Sequence, residues 1–189
     1  MSRKLKLQMQ MTIDGFVAGS NGELDWMNFD WTEDIKNYVT QLTDSVDTIL
    51  LGRKMTDDFI KHWTNQVNNN TNSEEYDFAK KMVDYKKFVF TKTLGKSVWE
   101  NTELVKGNLA DEIKKIKEMD GKDIIVYGGA EFVSNLIAEN LIDEMYISIN
   151  PVAIGNGLRI FDKLSDRQNL KLIESKSFDC GEVILFYKK

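Results

Sequence analysis

The sequence predicts an α/β fold: a mostly parallel central sheet with helices on both faces and a C-terminal antiparallel hairpin. Three observations predict it. Short apolar runs alternate with amphipathic stretches through the first three quarters of the chain. That alternation favours parallel strands, because each crossover between them carries a helix. Two strand-like segments, Leu170 to Phe178 and Glu182 to Tyr187, flank an Asp179-Cys180-Gly181 turn. No proline-rich or serine-rich linker and no internal repeat interrupts the 189 residues. Residues 1–189 therefore read as one domain, large enough for a continuous core.

The elements follow in order. Leu5, Leu7, Met9 and Met11 alternate with Lys6, Gln8 and Gln10, the period of a half-buried strand. It ends at Thr12-Ile13-Asp14-Gly15, where Asp14 supports the turn through its side chain. A loop with Gly15, Gly19 and Gly22 follows. Thr32 caps a helix whose Ile35, Tyr38, Val39 and Leu42 share one face. Thr48 to Leu51 is a buried strand ending at Gly52-Arg53-Lys54-Met55. The Asn-rich stretch from Thr64 to Ser73 reads as an exposed loop. A capping box of Thr71 and Glu74 opens a helix through Tyr76, Ala79 and Val83. Lys87 to Phe90 is a strand ending at Thr91-Lys92-Thr93. Leu109, Ile113 and Ile116 form another helical stripe, closed by Gly121. An apolar strand from Asp123 then runs into Gly128-Gly129, with a helix beginning near Glu131. A second apolar strand leads to Pro151, the only proline, and a Gly155-Asn156-Gly157 turn.

Composition narrows the function. A net charge of -5 gives no basic face for nucleic acid. No apolar run reaches membrane-spanning length, and the first ten residues lack a signal-peptide core. Cys180 and His62 are each the only residue of their kind, so no cysteine-built metal site or internal disulfide is available, and no metal is expected. A cytoplasmic protein acting on a small molecule is the expectation.

Three strand ends carry chemistry suited to phosphate. Gly52-Arg53-Lys54 offers close backbone approach, a forked guanidinium and an ammonium at a helix start. Thr91-Lys92-Thr93 adds two hydroxyls and a third cation. Gly128-Gly129-Ala130 presents bare amides where a helix N-terminus contributes roughly half a positive charge. Each alone has a plainer reading as a tight turn. Together they point to a pyrophosphate with an additional phosphate, hence NADPH. Neither the G-x-G-x-x-G fingerprint nor a Walker lysine motif is present.

The segments Met11 to Ala18 (MTIDGFVA), Thr48 to Met55 (TILLGRKM), Phe88 to Thr93 (FVFTKT) and Ile124 to Phe161 resemble the dihydrofolate reductase superfamily. The similarity is nearest to the reductase domain of the bifunctional riboflavin-biosynthesis deaminase-reductase. It implies a dihydrofolate-reductase-like fold, NADPH, hydride transfer to a pyrimidine, pterin-like or ribosyl-imine substrate, and a homodimer; the apolar residues near Met145 to Ile149 independently suggest a dimer. It also implies that Val17 and Ala18 line the nicotinamide pocket, that Gly52, Arg53, Lys54 and Met55 contact the adenosine side and 2′-phosphate, with Thr91, Lys92 and Thr93 flanking that end, and that Gly128, Gly129, Ala130 and Glu131 hold the pyrophosphate. The arginine with which folate-reducing members clamp the glutamate of folate has no counterpart between Arg53 and Arg159. The expectation therefore shifts from folate to a smaller heterocycle. Dihydrofolate reductase activity, a non-catalytic NADPH-binding sensor or resistance protein, and a purely structural protein are the alternatives.

Reducing a C=N bond also needs a proton. The resemblance points to Asp34 on the first helix as catalytic acid; the alternative is that Glu33 and Asp34 simply favour the helix dipole. Asp25, beside Trp26 in the glycine-spotted loop, is the second candidate, and the pair would contact substrate. Trp31 and Trp63 read as core or interface, and His62 as a boundary residue.

Overall fold

The computed structural model describes residues 2–27, 30–71 and 75–189. Among them eight strands and five helices alternate: β1 (Leu5–Thr12), α1 (Glu33–Asp44), β2 (Val46–Gly52), α2 (Arg53–Asn69), α3 (Tyr76–Asp84), β3 (Lys86–Phe90), β4 (Thr102–Val105), α4 (Leu109–Glu118), β5 (Asp123–Val126), α5 (Ala130–Ala138), β6 (Glu144–Asn150), β7 (Lys171–Ser177) and β8 (Val183–Lys188). The strands form one sheet in the order β4-β3-β2-β5-β1-β6-β8-β7. The first six in that order are parallel, and β8 runs antiparallel to both β6 and β7. The predicted architecture is the observed one.

Alternation along the strands divides the core. On one face Leu5, Leu7, Leu50, Ile124 and Val126 pack against Ile113 and Ile116 of α4 and Val133 and Leu136 of α5. On the other, Ile49, Leu51, Val89 and Ile125 meet Leu42 of α1 and Met82 of α3. Further along that second face, Ile35 and Val39 of α1 cover Phe178 and Ile184. Each such apolar side chain, fully buried, contributes roughly 1.5–3 kcal/mol before the entropy of ordering it.

Five local expectations change. β1 is buried on both faces, and Lys6 and Gln8 are buried along with its leucines. The strand is paired on both edges and covered by helices on both sides, so it has no watery face. Lys6 settles there by bonding Ser45 Oγ at 2.8 Å and Asp123 at 3.0 Å. Helix α2 continues through Asn69 into the expected Asn-rich loop. Just upstream of that stretch Phe59 stacks on Tyr127 and Trp63 packs edge-on against Phe78, so tertiary contact anchors the helix that the weaker residues continue. β4 is additional, a four-residue edge too short to show a period. Gly121 lies beyond the cap of α4, which is Met119; a Cβ at Gly121 would crowd Asp47 and Arg3. Thr32 is the N-cap of α1, yet its hydroxyl bonds Asp34 rather than a backbone amide. The Thr71–Glu74 capping box lies partly outside the described residues.

Strand β6 bonds to β1 on one side and β8 on the other, and Met145 and Ile147 are buried. Its apolar character is therefore spent inside the sheet, and it is no free surface for a partner. Large apolar side chains instead stand exposed on β7, at Leu172 and Ile173. No helix among the described residues is long and apolar enough to cross a membrane.

Candidate active site

Register brings the predicted turns together. Leu50 pairs with Val126, and Gly52 pairs with Phe90, so β2, β5 and β3 release the chain at one level. Two residues past Val126 comes Gly128, in a cis peptide with Gly129. Gly52 faces that bend at close quarters: a Cβ on it would lie 2.8 Å from Phe132 Cβ and 3.6 Å from the Gly129 nitrogen. Met55 closes the other side, its sulfur 3.0 Å from where a Gly128 Cβ would stand. The strand order reverses around β5 and β1, the position at which open α/β sheets bind ligands.

Two helices begin at this level, and both begin on glycine. α5 has Gly129 as N-cap and α2 has Gly52, so neither N-terminus receives a side-chain cap. The uncapped amides and the dipole together favour an anion. The first turn of α2 has no acidic residue and carries Arg53 and Lys54 instead. Cations there oppose the dipole of their own helix. Their placement makes electrostatic sense with an anion between them.

The cations are held loosely. Arg53 pairs with Asp57 at 2.8 Å and lies 5.3 Å from the centre of the Trp99 ring. Lys54 meets Glu131 at 2.9 Å, both side chains largely exposed. Glu131 lies below its ordinary pKa through the Lys54 hydrogen bond first, with Lys163 and Lys92 adding their fields. Lys92 thus stands within electrostatic reach of α5. Such exposed pairs are worth 0–1 kcal/mol, roughly, and are readily exchanged for a phosphate. Thr91 is different: it is buried and its hydroxyl accepts from the Thr93 and Leu94 amides, both at 3.2 Å, so it shapes the turn. Lys92 and Thr93 are exposed.

Val17 and Ala18 lie beyond β1, buried, bridged to the loop after β6. Val17 N donates to Leu158 O at 2.8 Å and Leu158 N to Ala18 O at 2.9 Å. Gly157 permits this approach, since a Cβ there would overlap the Ala18 carbonyl. Asp14 reinforces it by accepting from the amides of Ile154 at 3.1 Å and Gly155 at 2.7 Å. The loops meet through side chain and backbone, a wider role than support of its own turn.

The acid candidates separate. Asp34 accepts from Thr32 Oγ1 at 2.5 Å and from the Asp179 amide at 3.1 Å, and the Thr32 hydroxyl foremost holds its pKa below the ordinary value. Its carboxylate ties α1 to the β7–β8 turn. Asp25 is exposed, while Trp26 has a buried Nε1 without a hydrogen-bond partner among the described residues.

A second carboxyl escaped the sequence reading. Glu182, at the turn before β8, is fully buried. It accepts from Trp31 Nε1 at 2.9 Å and from the Ser148 hydroxyl, with the Gln10 side chain as a further partner. Burial pushes its pKa up, against those hydrogen bonds. Gln10 Oε1 in turn accepts from Asn150 Nδ2 at 2.5 Å. Gln8 Oε1 and Asn150 Oδ1 are buried with no partner among the described residues. Only the repeated glutamines of β1 hinted at this cluster.

The fold is a mostly parallel α/β domain in which the turns after β2, β3 and β5 converge at one end of the sheet. The RibD C-terminal domain family matches residues 3–186, and the chain belongs to that family. It is 33% identical over 186 residues to the uncharacterized protein YyaP of Bacillus subtilis (strain 168), covering 98% of this chain and 94% of that one. The uncharacterized protein YwjB of the same organism is 27% identical over 178 residues, 94% of each chain. Riboflavin biosynthesis protein RibD of Aquifex aeolicus (strain VF5) is 31% identical over 90 residues, 46% of this chain and 25% of that protein. Among solved structures, a diaminohydroxyphosphoribosylaminopyrimidine deaminase/5-amino-6-(5-phosphoribosylamino)uracil reductase from Thermotoga maritima aligns over 99% of this chain and 56% of its own, with TM-score 0.70 and 16% identity. A Shewanella sp. PV-4 protein, described provisionally as a riboflavin biosynthesis protein, aligns over 100% and 98% with TM-score 0.70 and 22% identity. At those identities the likeness is one of fold.

Proposed function

We propose that the protein is an NADPH-dependent reductase of a small pyrimidine, pterin-like or ribosyl-imine substrate, with chemistry of the riboflavin-pathway type. The observation that carries the reading is the pair of uncapped helix N-termini at Gly52 and Gly129, with Arg53, Lys54 and Lys92 around them. Bare amides and weakly paired cations suit a pyrophosphate with a further phosphate nearby. When bound, NADPH would supply the hydride. Gly128, Gly129 and Ala130 would present amides to the pyrophosphate, and Glu131 would release Lys54 to it. Arg53 and Lys92 would grip the 2′-phosphate, with Met55 and Thr93 beside them. Val17 and Ala18, fixed by the loop after β6, would line the nicotinamide side and exclude water. The same reading expects a cytoplasmic homodimer, checked by light scattering.

The test is fluorescence titration with NADPH and NADH. Tight saturable NADPH binding is expected, with Arg53→Ala and Lys92→Ala each weakening NADPH about tenfold and NADH little, as the loss of one charged phosphate contact implies. Absence of saturable binding overturns the proposal. Consumption of NADPH with 5-amino-6-(5-phosphoribosylamino)uracil or dihydrofolate as trial substrates then separates a reductase from a sensor.

A further inference from the structure

Resting on that reductase reading, we propose that Glu182 is the proton store of the substrate pocket and that Ser148 passes its proton on, in place of Asp34. Glu182 is enclosed at 0% exposure with no Lys or Arg partner among the described residues. An ionised carboxylate so placed is costly, whereas a neutral carboxyl is not. Three neutral groups surround it: the Trp31 indole, the Ser148 hydroxyl and the Gln10 amide. They can hydrogen-bond the carboxyl before and after it loses a proton.

The direction of transfer follows from the sheet. Glu182 stands beside β8; Ser148 is on β6, one strand nearer the centre, and pairs in register with Gln10 of β1. Strand β1 leads to Val17 and Ala18, the expected nicotinamide wall. A proton leaving Glu182 toward the reacting centre therefore passes Ser148. Ser148 is itself only 2% exposed, so the substrate must displace the side chains that cover it; Ser148 Oγ then gives its proton to the substrate nitrogen as the C=N carbon takes a hydride from reduced nicotinamide. Glu182 restores the serine proton, becomes a carboxylate and is reprotonated from solvent. The unpaired acceptors Gln8 Oε1 and Asn150 Oδ1 lie on the same face and would hold N–H donors of the ring.

The other charged or titratable groups packed around Glu182 do not substitute for it. Asp34 of α1 is held ionised by Thr32 and the Asp179 amide. Tyr38 and Tyr146 are raised by burial and stay protonated. Lys6 is paired with Asp123, and Glu144 with Lys4 and Lys188. Lys176 of β7 lies over the Tyr38 and Phe178 rings, and Asp179 and Cys180 form the turn.

Infrared spectroscopy tests the store without any activity. The wild type at neutral pH is expected to show a buried protonated-carboxyl band that Glu182→Gln lacks; no difference between them overturns the proposal. Kinetics with NADPH and 5-amino-6-(5-phosphoribosylamino)uracil test the relay. Glu182→Gln and Ser148→Ala should each lower kcat about 100-fold with KM and NADPH affinity little changed. The alkaline fall of the wild-type pH profile should vanish in Glu182→Gln, and Ser148→Thr, which keeps the hydroxyl, should recover most of the rate. Unchanged kcat and an unchanged alkaline limb overturn it. If circular dichroism shows Glu182→Gln unfolded, Ser148→Ala decides: removing a donor to the charged form should make the carboxyl band persist to higher pH, and a fixed band overturns the idea. Failure of NADPH to bind the wild type would sink the reductase reading, while the infrared result still judges Glu182.

Discussion

Replacing Gly52 with alanine probes the cradle by steric means alone. The added carbon would lie 2.8 Å from Phe132 Cβ and 3.3 Å from its Cγ. Apolar carbons rest at about 3.5–4.0 Å, so one element must yield by about 1 Å. Phe132 cannot swing clear, because the nearest atom is its own Cβ and its ring lies 4.9 Å from that of Phe90. The first turn of α5 must retreat instead. Overpacking of this kind costs about 1–3 kcal/mol. For a chain of this size each kcal/mol lowers Tm by about 2–4 °C, so a fall of about 2–12 °C is expected by thermal fluorimetry. Retreat of the α5 amides should also cost one charge-assisted hydrogen bond, about 1.5–3 kcal/mol, or roughly 10–100-fold in the Kd for NADPH. Gly95→Ala, where an added carbon meets nothing within 4 Å, is the control. Unaltered Tm in Gly52→Ala would refute the packing argument; lowered Tm with unaltered affinity would refute the phosphate site at α5.

Three other outcomes follow from the same structure. Arg3, nearly buried, bonds Asp47, Thr48 Oγ1 at 2.6 Å and the Lys122 carbonyl, so Arg3→Ala should lose about 2 kcal/mol, discounted for the partial exposure of Asp47, and lower the urea midpoint. Asp14 is held below its ordinary 3.8, first by the Thr12 hydroxyl and then by the Gly155 and Ile154 amides. A depressed carboxyl stabilises the fold above 3.8 and loses that contribution as pH falls through its folded pKa, so wild type should lose stability there relative to Asp14→Asn. Burial lowers Lys87 from 10.5 to about 8 while its ammonium caps the Val83 and Tyr85 carbonyls. The unfolded chain binds more protons between those values, so stability should rise as pH climbs from about 8 to 10.5; Lys87→Met should abolish that rise in urea titrations.

The turns at Gly52, Thr91 and Gly128 were legible because glycine, hydroxyl and charge at strand ends are local signals that need no partner. Helix α2 was legible only in its first half. The start of the Asn-rich stretch continues a helix that Phe59 and Trp63, just upstream, anchor on Tyr127 and Phe78, partners distant in sequence. The alternating pattern of β1 gave the strand correctly and its environment wrongly: alternation distinguishes two faces, but does not say that water wets one. Glu182 was invisible for a related reason. A glutamate after Asp179-Cys180-Gly181 looks like a turn residue, and its burial arises only when β8 pairs with β6 beneath α1. Asp34 had the opposite fate, since its position at a helix start was readable and its bond to the Asp179 amide was not.

The sheet order has a consequence for how the molecule comes into being. Strands β1 and β2 are made first, yet they never touch as neighbours; β5, which begins at Asp123 where β2 ended at Gly52, inserts between them. Until then a growing chain has β4, β3 and β2 on one side of an open slot and β1 alone on the other. Glycine 129 arrives on the same short segment that fills it. The bend proposed to seat the pyrophosphate and the joining of β2 to β1 thus come from one segment, late in synthesis and dominated by distant pairings, which are slow to form.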